Sequence, residues 1–257
     1  MFDKPFDLFS LDGKVALVTG GSQGLGFEMS RAFARAGAEV YVNGRSLEKL
    51  ERCRERFDQD GIKVNLSPFP VEDLEMARQA IKEIVSAFGR IDILVNNVGA
   101  RLRTEAENID RSEFSRILDI NLTSAYTLTR DVVRHMPENG RVIMLGSVTG
   151  MRGRKGDPAY IASKGGLIAL TKALACEYGD RSITCNAIVP GVFRTETNVP
   201  EIARRAGSGV ASRLPLGRVG NPSEIVGPAL FLASEASSYV TGATLAVDGG
   251  WTASAMS

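Results

Sequence analysis

Short apolar runs alternate with helix-length amphipathic stretches from one end of the chain to the other. The runs predicted as strands are Val15–Thr19, Glu39–Asn43, Lys63–Ser67, Ile91–Asn96, Arg141–Leu145, Ile183–Val189 and Thr244–Val247. Between them, apolar positions recur at helical spacing over Gly24–Ala36, Leu47–Asp60, Leu74–Phe88, Arg111–His135, Ala159–Tyr178 and Pro222–Ala233. Gly37, Gly61, Gly89 and Gly179 close four of these stretches, where a left-handed helix-end residue is expected. Strand, helix, strand, repeated, implies parallel strands joined by crossovers with helices on both faces. The near-continuous apolar character of most strands fits a sheet covered on both sides. The expected fold class is therefore α/β, a doubly wound parallel sheet of about seven strands.

No low-complexity linker or composition break interrupts the pattern, so residues 1–257 are expected to form one domain. The least regular stretch is 194–222, with prolines, glycines and a short helical pattern at Val199–Ala206. An insertion of this kind after a strand's carboxyl end is the expected lid of a site.

Composition narrows the function classes. Lysine plus arginine (31) nearly balances aspartate plus glutamate (30). That balance supplies no broad field for nucleic acid or an anionic membrane, and neither is expected as a partner. No apolar stretch nears the roughly 20 residues that span a bilayer, and Met1 to Ser10 has no apolar signal core. Three cysteines, Cys53, Cys176 and Cys185, form no CxxC pair, which fits reduced thiols and a cytoplasmic setting. One histidine, His135, and no Cys/His cluster leave little material for a metal site, and none is expected.

The first strand turns through Gly20-Gly21-Ser22-Gln23-Gly24-Leu25-Gly26 into the first helix. Glycines here permit a tight turn, let the backbone approach a pyrophosphate and let the helix pack against the sheet. The helix start offers unpaired N–H groups and a positive dipole end to phosphates. A bare tight turn would look similar; the position after the first strand of a βαβ unit favours dinucleotide binding by Gly20, Ser22, Gln23, Gly24, Leu25 and Gly26. About 20 residues on, the second strand ends Asn43-Gly44-Arg45-Ser46. An acid there would hold the ribose 2′-hydroxyl of NAD. A guanidinium stands there instead, which suits a 2′-phosphate, so Arg45 and Ser46 point to NADP(H) over NAD(H). The alternative is that Arg45 is a surface charge opening the next helix.

Four residues carry the chemistry. Tyr160 and Lys164 fall at i and i+4, on one face of a helix. A phenol with a pKa near 10 is too weak a base at neutral pH. A neighbouring ammonium and an oxidised nicotinamide would both lower that pKa, allowing proton exchange with a substrate. Ser147 ends the apolar run from Arg141 through Leu145 and Gly146, and could polarise a carbonyl. Asn121 lies within a helical segment, where a buried amide needs partners and could serve a structural or water-relay role. Singly, each has an ordinary reading: Tyr and Lys meet at this spacing by chance, and a strand-end Ser is commonly a helix cap.

Together, and in order, these motifs resemble the short-chain dehydrogenase/reductase family. The resemblance covers about Leu11 to Trp251 and rests on TGGSQGLG from Thr19 to Gly26, NNVG from Asn96 to Gly99, Asn121, Ser147, the YxxxK pair Tyr160 and Lys164, Pro190-Gly191 and VDGG from Val247 to Gly250. It implies a single-domain Rossmann-type fold, a nicotinamide cofactor and a homotetramer. It implies Tyr160 as proton donor and acceptor, and Lys164 as the group that binds the nicotinamide ribose and lowers the tyrosine pKa. Ser147 would steady the carbonyl, and Asn121 would hold a water that extends the proton path. Asn97, Val98 and Gly99 would line the adenosine side, and Pro190, Gly191, Val192 and Thr195 the nicotinamide side. Two positions depart from the family pattern. Val98 replaces the usual alanine, and Pro70-Val71 replaces Asp-Val, removing a carboxylate contact to adenine while the Val71 N–H remains.

Basic residues cluster near the implied cleft: Arg101 and Arg103 after the NNVG motif, and Arg152, Arg154 and Lys155 between Ser147 and Tyr160. Arg103, Arg152 and Arg154 are the candidate contacts to an anionic substrate; solvated surface arginines are the alternative. The N-terminal FDLFSLDG from Phe6 to Gly13, with Val42–Arg45 and Arg103, resembles the gluconate 5-dehydrogenase branch. That implies interconversion of gluconate and 5-ketogluconate. A 3-oxoacyl carrier-protein reductase is the nearest enzyme alternative, and a cofactor-binding regulator without turnover is the alternative from another class.

Overall fold

A computed structural model of the chain describes residues 5–196, 209 and 211–254. Seven strands form one all-parallel sheet: β1 Val15–Val18, β2 Glu39–Gly44, β3 Asn65–Pro68, β4 Ile93–Asn96, β5 Arg141–Leu145, β6 Thr184–Pro190 and β7 Thr244–Val247. Their order is β3-β2-β1-β4-β5-β6-β7. The helices are α1 Gly24–Arg35, α2 Leu47–Gln59, α3 Leu74–Phe88, α4 Arg111–Leu118, α5 Ser124–Val133, α6 Val148–Met151, α7 Pro158–Glu177 and α8 Val226–Ala233. This is the doubly wound α/β architecture read from the sequence.

Successive strand residues point to opposite faces, and along β1, β4, β5 and β6 both faces are buried. Ala16 and Val18 of β1 join Val40, Val42, Ile93, Val95, Ile143 and Leu145 in a core covered by α1, α2 and α8. Val15 and Leu17 join Leu94, Val142, Met144, Cys185 and Ala187 in a second core covered by α3, α5 and α7. The helices start on local caps: the side chains of Ser46, Asp73 and Asp110 accept from the N–H groups of Lys49, Met76 and Glu113.

The strand order reverses between β1 and β4, which pair directly. The loops leaving their carboxyl ends diverge there and open the crevice where doubly wound sheets bind ligands. Thr19 ties the two loops together. Its hydroxyl donates to the Val95 carbonyl (3.1 Å) and accepts from the Asn97 N–H (2.9 Å).

Three sequence expectations change. The stretch Arg111–His135 is not one helix. A π-helical turn, Asp119–Thr123, separates α4 from α5, and the Ser124 N–H reaches back to the Asp119 carbonyl. Gly37, Gly61 and Gly89 have the expected positive φ (101°, 69° and 75°), but after α7 the left-handed residue is Ser182 (φ 56°) in place of Gly179. Residues Pro222–Ile225 form a tight 3-10 turn ahead of α8. The helical pattern Val199–Ala206 lies outside the described residues.

Candidate active site

The glycine loop and the start of α1 are built for close approach. A Cβ on Gly26 would stand 2.3 Å from the Gly20 carbonyl oxygen and 2.6 Å from Asn97 Nδ2. Gly20 and Gly24 take positive φ, 61° and 57°. Ahead of α1, Gln23 makes no side-chain capping bond and the first turn carries no acid. The helix therefore presents its free N–H groups and positive end to the crevice, as a bound pyrophosphate requires. The amide of Asn97 is engaged by the carbonyls of Thr19 and Gly20, both at 3.0 Å, so it holds the loop's shape.

Asn43, to which the sequence assigned no role of its own, is fully buried at the end of β2 and completes this frame. Its Oδ1 accepts from the Gly20 N–H (3.4 Å), and its Nδ2 donates to the carbonyls of Ser67 and Phe69. The Ser22 hydroxyl lies beside Gly44, near enough that a Cβ there would be 3.6 Å away. Arg45 is exposed next to it, and among the described residues it has no ion-pair partner. Ser46 is half-buried and also caps α2. Val71 is buried just beyond β3. These residues fit the adenosine end of a dinucleotide, with the exposed Arg45 beside it.

At the other end, Gly191 follows β6 and donates to the Val247 carbonyl (3.0 Å). A Cβ on it would meet Asp248 Cα at 2.7 Å. The Val192 carbonyl accepts from Gly220, and the Gly220 carbonyl accepts from Arg194, so both ends of the 194–222 insertion are pinned at one point. Thr195, almost buried, lies against Gly24 of the phosphate loop.

Between these ends stand the four chemical residues. Ser147 follows β5, caps α6 through the Thr149 N–H (3.3 Å) and bonds the Thr149 hydroxyl (2.9 Å). It is thus both a helix cap and a hydroxyl facing Tyr160. Asn121 is buried in the π turn. Its Nδ2 donates to the Ala100 carbonyl (2.8 Å) and Ser163 Oγ (2.9 Å), and its Oδ1 accepts from the Ala100 N–H (2.7 Å). Both amide protons are in use, so the side chain ties the loop after β4 to α7.

Lys164 is 2% exposed. Its ammonium donates to the Leu145 carbonyl at 2.7 Å and lies 5.9 Å from the Tyr160 ring centroid. A Cβ on Gly99 would be 3.3 Å from it. Burial pulls the Lys164 pKa down to about 8. Burial likewise pushes the Tyr160 phenol up, against the opposing influence of Arg101, Ser147 and Arg103. Arg101 opposes that rise most, so a second cation, its guanidinium carbon 4.7 Å from the ring centroid, stands at the phenol beside Lys164.

Residues 20–252 match the family model described as enoyl-(acyl carrier protein) reductase. The chain is 38% identical over 251 residues to gluconate 5-dehydrogenase of Gluconobacter oxydans (strain 621H), covering 96% of this chain and 98% of that one. It is 36% identical over 246 residues to 3-oxoacyl-[acyl-carrier-protein] reductase of Thermotoga maritima, covering 93% and 98%. A crystal structure of gluconate 5-dehydrogenase from Burkholderia cenocepacia J2315 with NADP and tartrate superposes with a TM-score of 0.91. It is 34% identical and is matched over 98% of this chain and all of that one. The chain is a short-chain dehydrogenase/reductase.

For this family member, the basic residues near the cleft separate by role. Arg152 donates to the carbonyls of Trp251 (2.9 Å) and Ser254 (3.2 Å), which draws it toward the C-terminal segment and away from the substrate role expected of it. Arg101 is paired with Asp157. Lys155 is exposed and paired with Glu105 at 3.0 Å. Arg103 is exposed and close enough to Tyr160 to lower its pKa. Arg154 is half-buried in the loop between α6 and α7. Cys53 and Cys185 are buried, with pKa values pushed up to about 11 and about 12, while Cys176 is exposed.

Proposed function

We propose that this oxidoreductase interconverts a sugar acid and its keto form with NADP(H), gluconate and 5-ketogluconate being the favoured pair. The observation that carries the reading is the similarity to gluconate 5-dehydrogenases over nearly the whole chain, with Arg103, exposed in the loop after β4 and near enough to the phenol to favour its phenolate, as the candidate carboxylate contact. A carboxylate held there would leave its carbon chain beside Tyr160. The gluconate 5-dehydrogenase relatives support the substrate class. The NADP in the Burkholderia structure, with Gly44 and Arg45 in place of an acid, supports the cofactor choice.

Bound nicotinamide would supply or take the hydride. Ser147 would hold the carbonyl oxygen, and Tyr160 would give it a proton during reduction. Burial suits that role, because it keeps the phenol protonated until the transition state needs the proton. Lys164, with two N–H donors beyond its bond to Leu145, would bind the nicotinamide ribose. The amide of Asn121 is taken up by Ala100 and Ser163, so a relay water would sit on its main-chain carbonyl, within a π turn of the kind that marks functional sites. The pinned insertion 194–222 would close over the substrate, and the whole would work as a cytoplasmic homotetramer.

A substrate panel tests the reading. NADPH oxidation with 5-ketogluconate is expected. Oxidation with an acetoacetyl thioester and none with any keto sugar acid would replace the proposal with a 3-oxoacyl reductase.

A further inference from the structure

Two charged groups outside the catalytic four meet over the phenol. Arg101 lies in the loop after β4, and Asp157 stands immediately before α7. Arg101 Nε is 3.1 Å from Oδ1 and 3.0 Å from Oδ2 of Asp157, and Nη2 also donates to Oδ2. The Asp157 side chain is fully buried, while Arg101 keeps 28% of its side chain exposed. The guanidinium carbon stands 4.7 Å from the centroid of the Tyr160 ring.

The pair is oddly placed for a purely structural device. Asp157 occupies the N-cap position of α7, where an aspartate normally accepts an N–H of the first turn. It makes no such bond. Its carboxylate is turned instead to Arg101, at the cost of burying a charge. The planar fork that grips Asp157 also presents a flat cation to an aromatic ring, a geometry lysine cannot copy. With its fork occupied in this way, Arg101 is poorly placed to grip a substrate carboxylate.

We propose that Arg101, clamped by Asp157 over the Tyr160 ring, is a positioning residue for Tyr160 that fixes the ring's orientation and sets a positive charge beside it without contacting substrate. This rests on the reading of Tyr160 as the acid/base. Among the described residues, the charged and polar groups around the phenol are Arg101 and Arg103 from the loop after β4, Ser147 after β5, Asp157 immediately before α7 and Lys164 in α7. Burial raises the phenol pKa; Arg101 opposes it most, and Asp157 offsets part of that.

The test is a direct titration of Tyr160 by NMR, in protein labelled at tyrosine Cζ and saturated with NADP+. The Tyr160 signal is assigned by its loss in Tyr160→Phe. Arg101→Gln removes the charge and keeps a hydrogen-bonding group for Asp157. Its Tyr160 midpoint is expected to rise by at least about half a pH unit. The rising limb of kcat/KM for alcohol oxidation should move by a similar amount, with KM for the sugar acid within about twofold. Arg101→Lys, which restores the charge without the fork, should recover part of the shift. Should Arg101→Gln fail to fold, the double variant with Asp157→Asn removes the stranded carboxylate. The midpoint should still rise there, because Arg101 acts on the phenol more strongly than Asp157 does. An unmoved midpoint overturns the proposal. So does an unmoved limb with KM raised about tenfold, which would make Arg101 a substrate ligand. If Tyr160→Phe keeps full turnover, the acid/base reading fails on its own, and the titration still judges the clamp.

Discussion

Lys164 reaches across the end of β5 to the carbonyl of Leu145, 2.7 Å away, while its ammonium stays 5.9 Å from the centre of the Tyr160 ring. The ammonium is buried, with the Leu145 carbonyl as its hydrogen-bond acceptor among the described residues, and burial lowers its pKa to about 8. A charge held this way costs stability, and strongly shifted buried groups of this kind cluster at functional sites.

That cost is measurable. Lys164→Met should be more stable than the wild type at pH 7, by on the order of 1–3 kcal/mol, while turnover collapses. The pH dependence follows from the sign of the shift. Between pH 8 and the ordinary lysine value of 10.5, the unfolded chain holds a proton that the folded protein has lost. Stability from this group therefore rises with pH through that window, and the penalty is complete below it. Urea denaturation at pH 7, 8.5 and 10 checks it; a Lys164→Met variant less stable than wild type at pH 7 would contradict it.

Gly26→Ala should damage both fold and cofactor binding. The new methyl would stand 2.3 Å from a backbone oxygen that cannot move without opening the loop. A loss on the order of 1–3 kcal/mol is expected, read by thermal melting. NADPH should then no longer raise the melting temperature, because only a ligand of the native state does so.

Arg45→Ala should weaken NADPH binding roughly tenfold or more and leave NADH nearly unchanged, since a charge-assisted contact to a phosphate is worth about 1.5–3 kcal/mol. Titration calorimetry with both cofactors reads this. Equal losses for the two would return Arg45 to a surface charge.

Arg103→Met should raise KM for the keto sugar acid about tenfold or more with little change in cofactor Kd. A variant with normal KM would move the carboxylate contact elsewhere in the cleft.

Much of this fold was legible because its strands are short apolar runs, the central ones buried on both faces. Arg141–Leu145 and Thr244–Val247 were bounded to the residue, as apolar runs between turn signals. The π turn at Asp119–Thr123 was not legible. One extra residue in a helix barely disturbs the apolar rhythm, so Arg111–His135 reads as one helix although Asn121 sits at the interruption. Asn43 was missed because its partners, Gly20, Ser67 and Phe69, lie 23 to 26 residues away. The clamp of Arg101 on Asp157 spans 56 residues, and no local pattern announces it. Local spacing likewise gave Arg152 to the substrate, whereas its partners are at the far end of the chain. Within the site, sequence order marked residues that the fold brings together at the crevice; that Arg101 also lies over the Tyr160 ring needed three dimensions.

The most direct measurement is the rate of NADPH oxidation with 5-ketogluconate by Tyr160→Phe, taken alongside its NADPH affinity. The phenyl ring keeps the packing under Arg101 and removes only the hydroxyl. Turnover should fall by about 10²–10⁴-fold with the affinity for NADPH unchanged. Wild-type turnover in this variant would contradict the account at its centre.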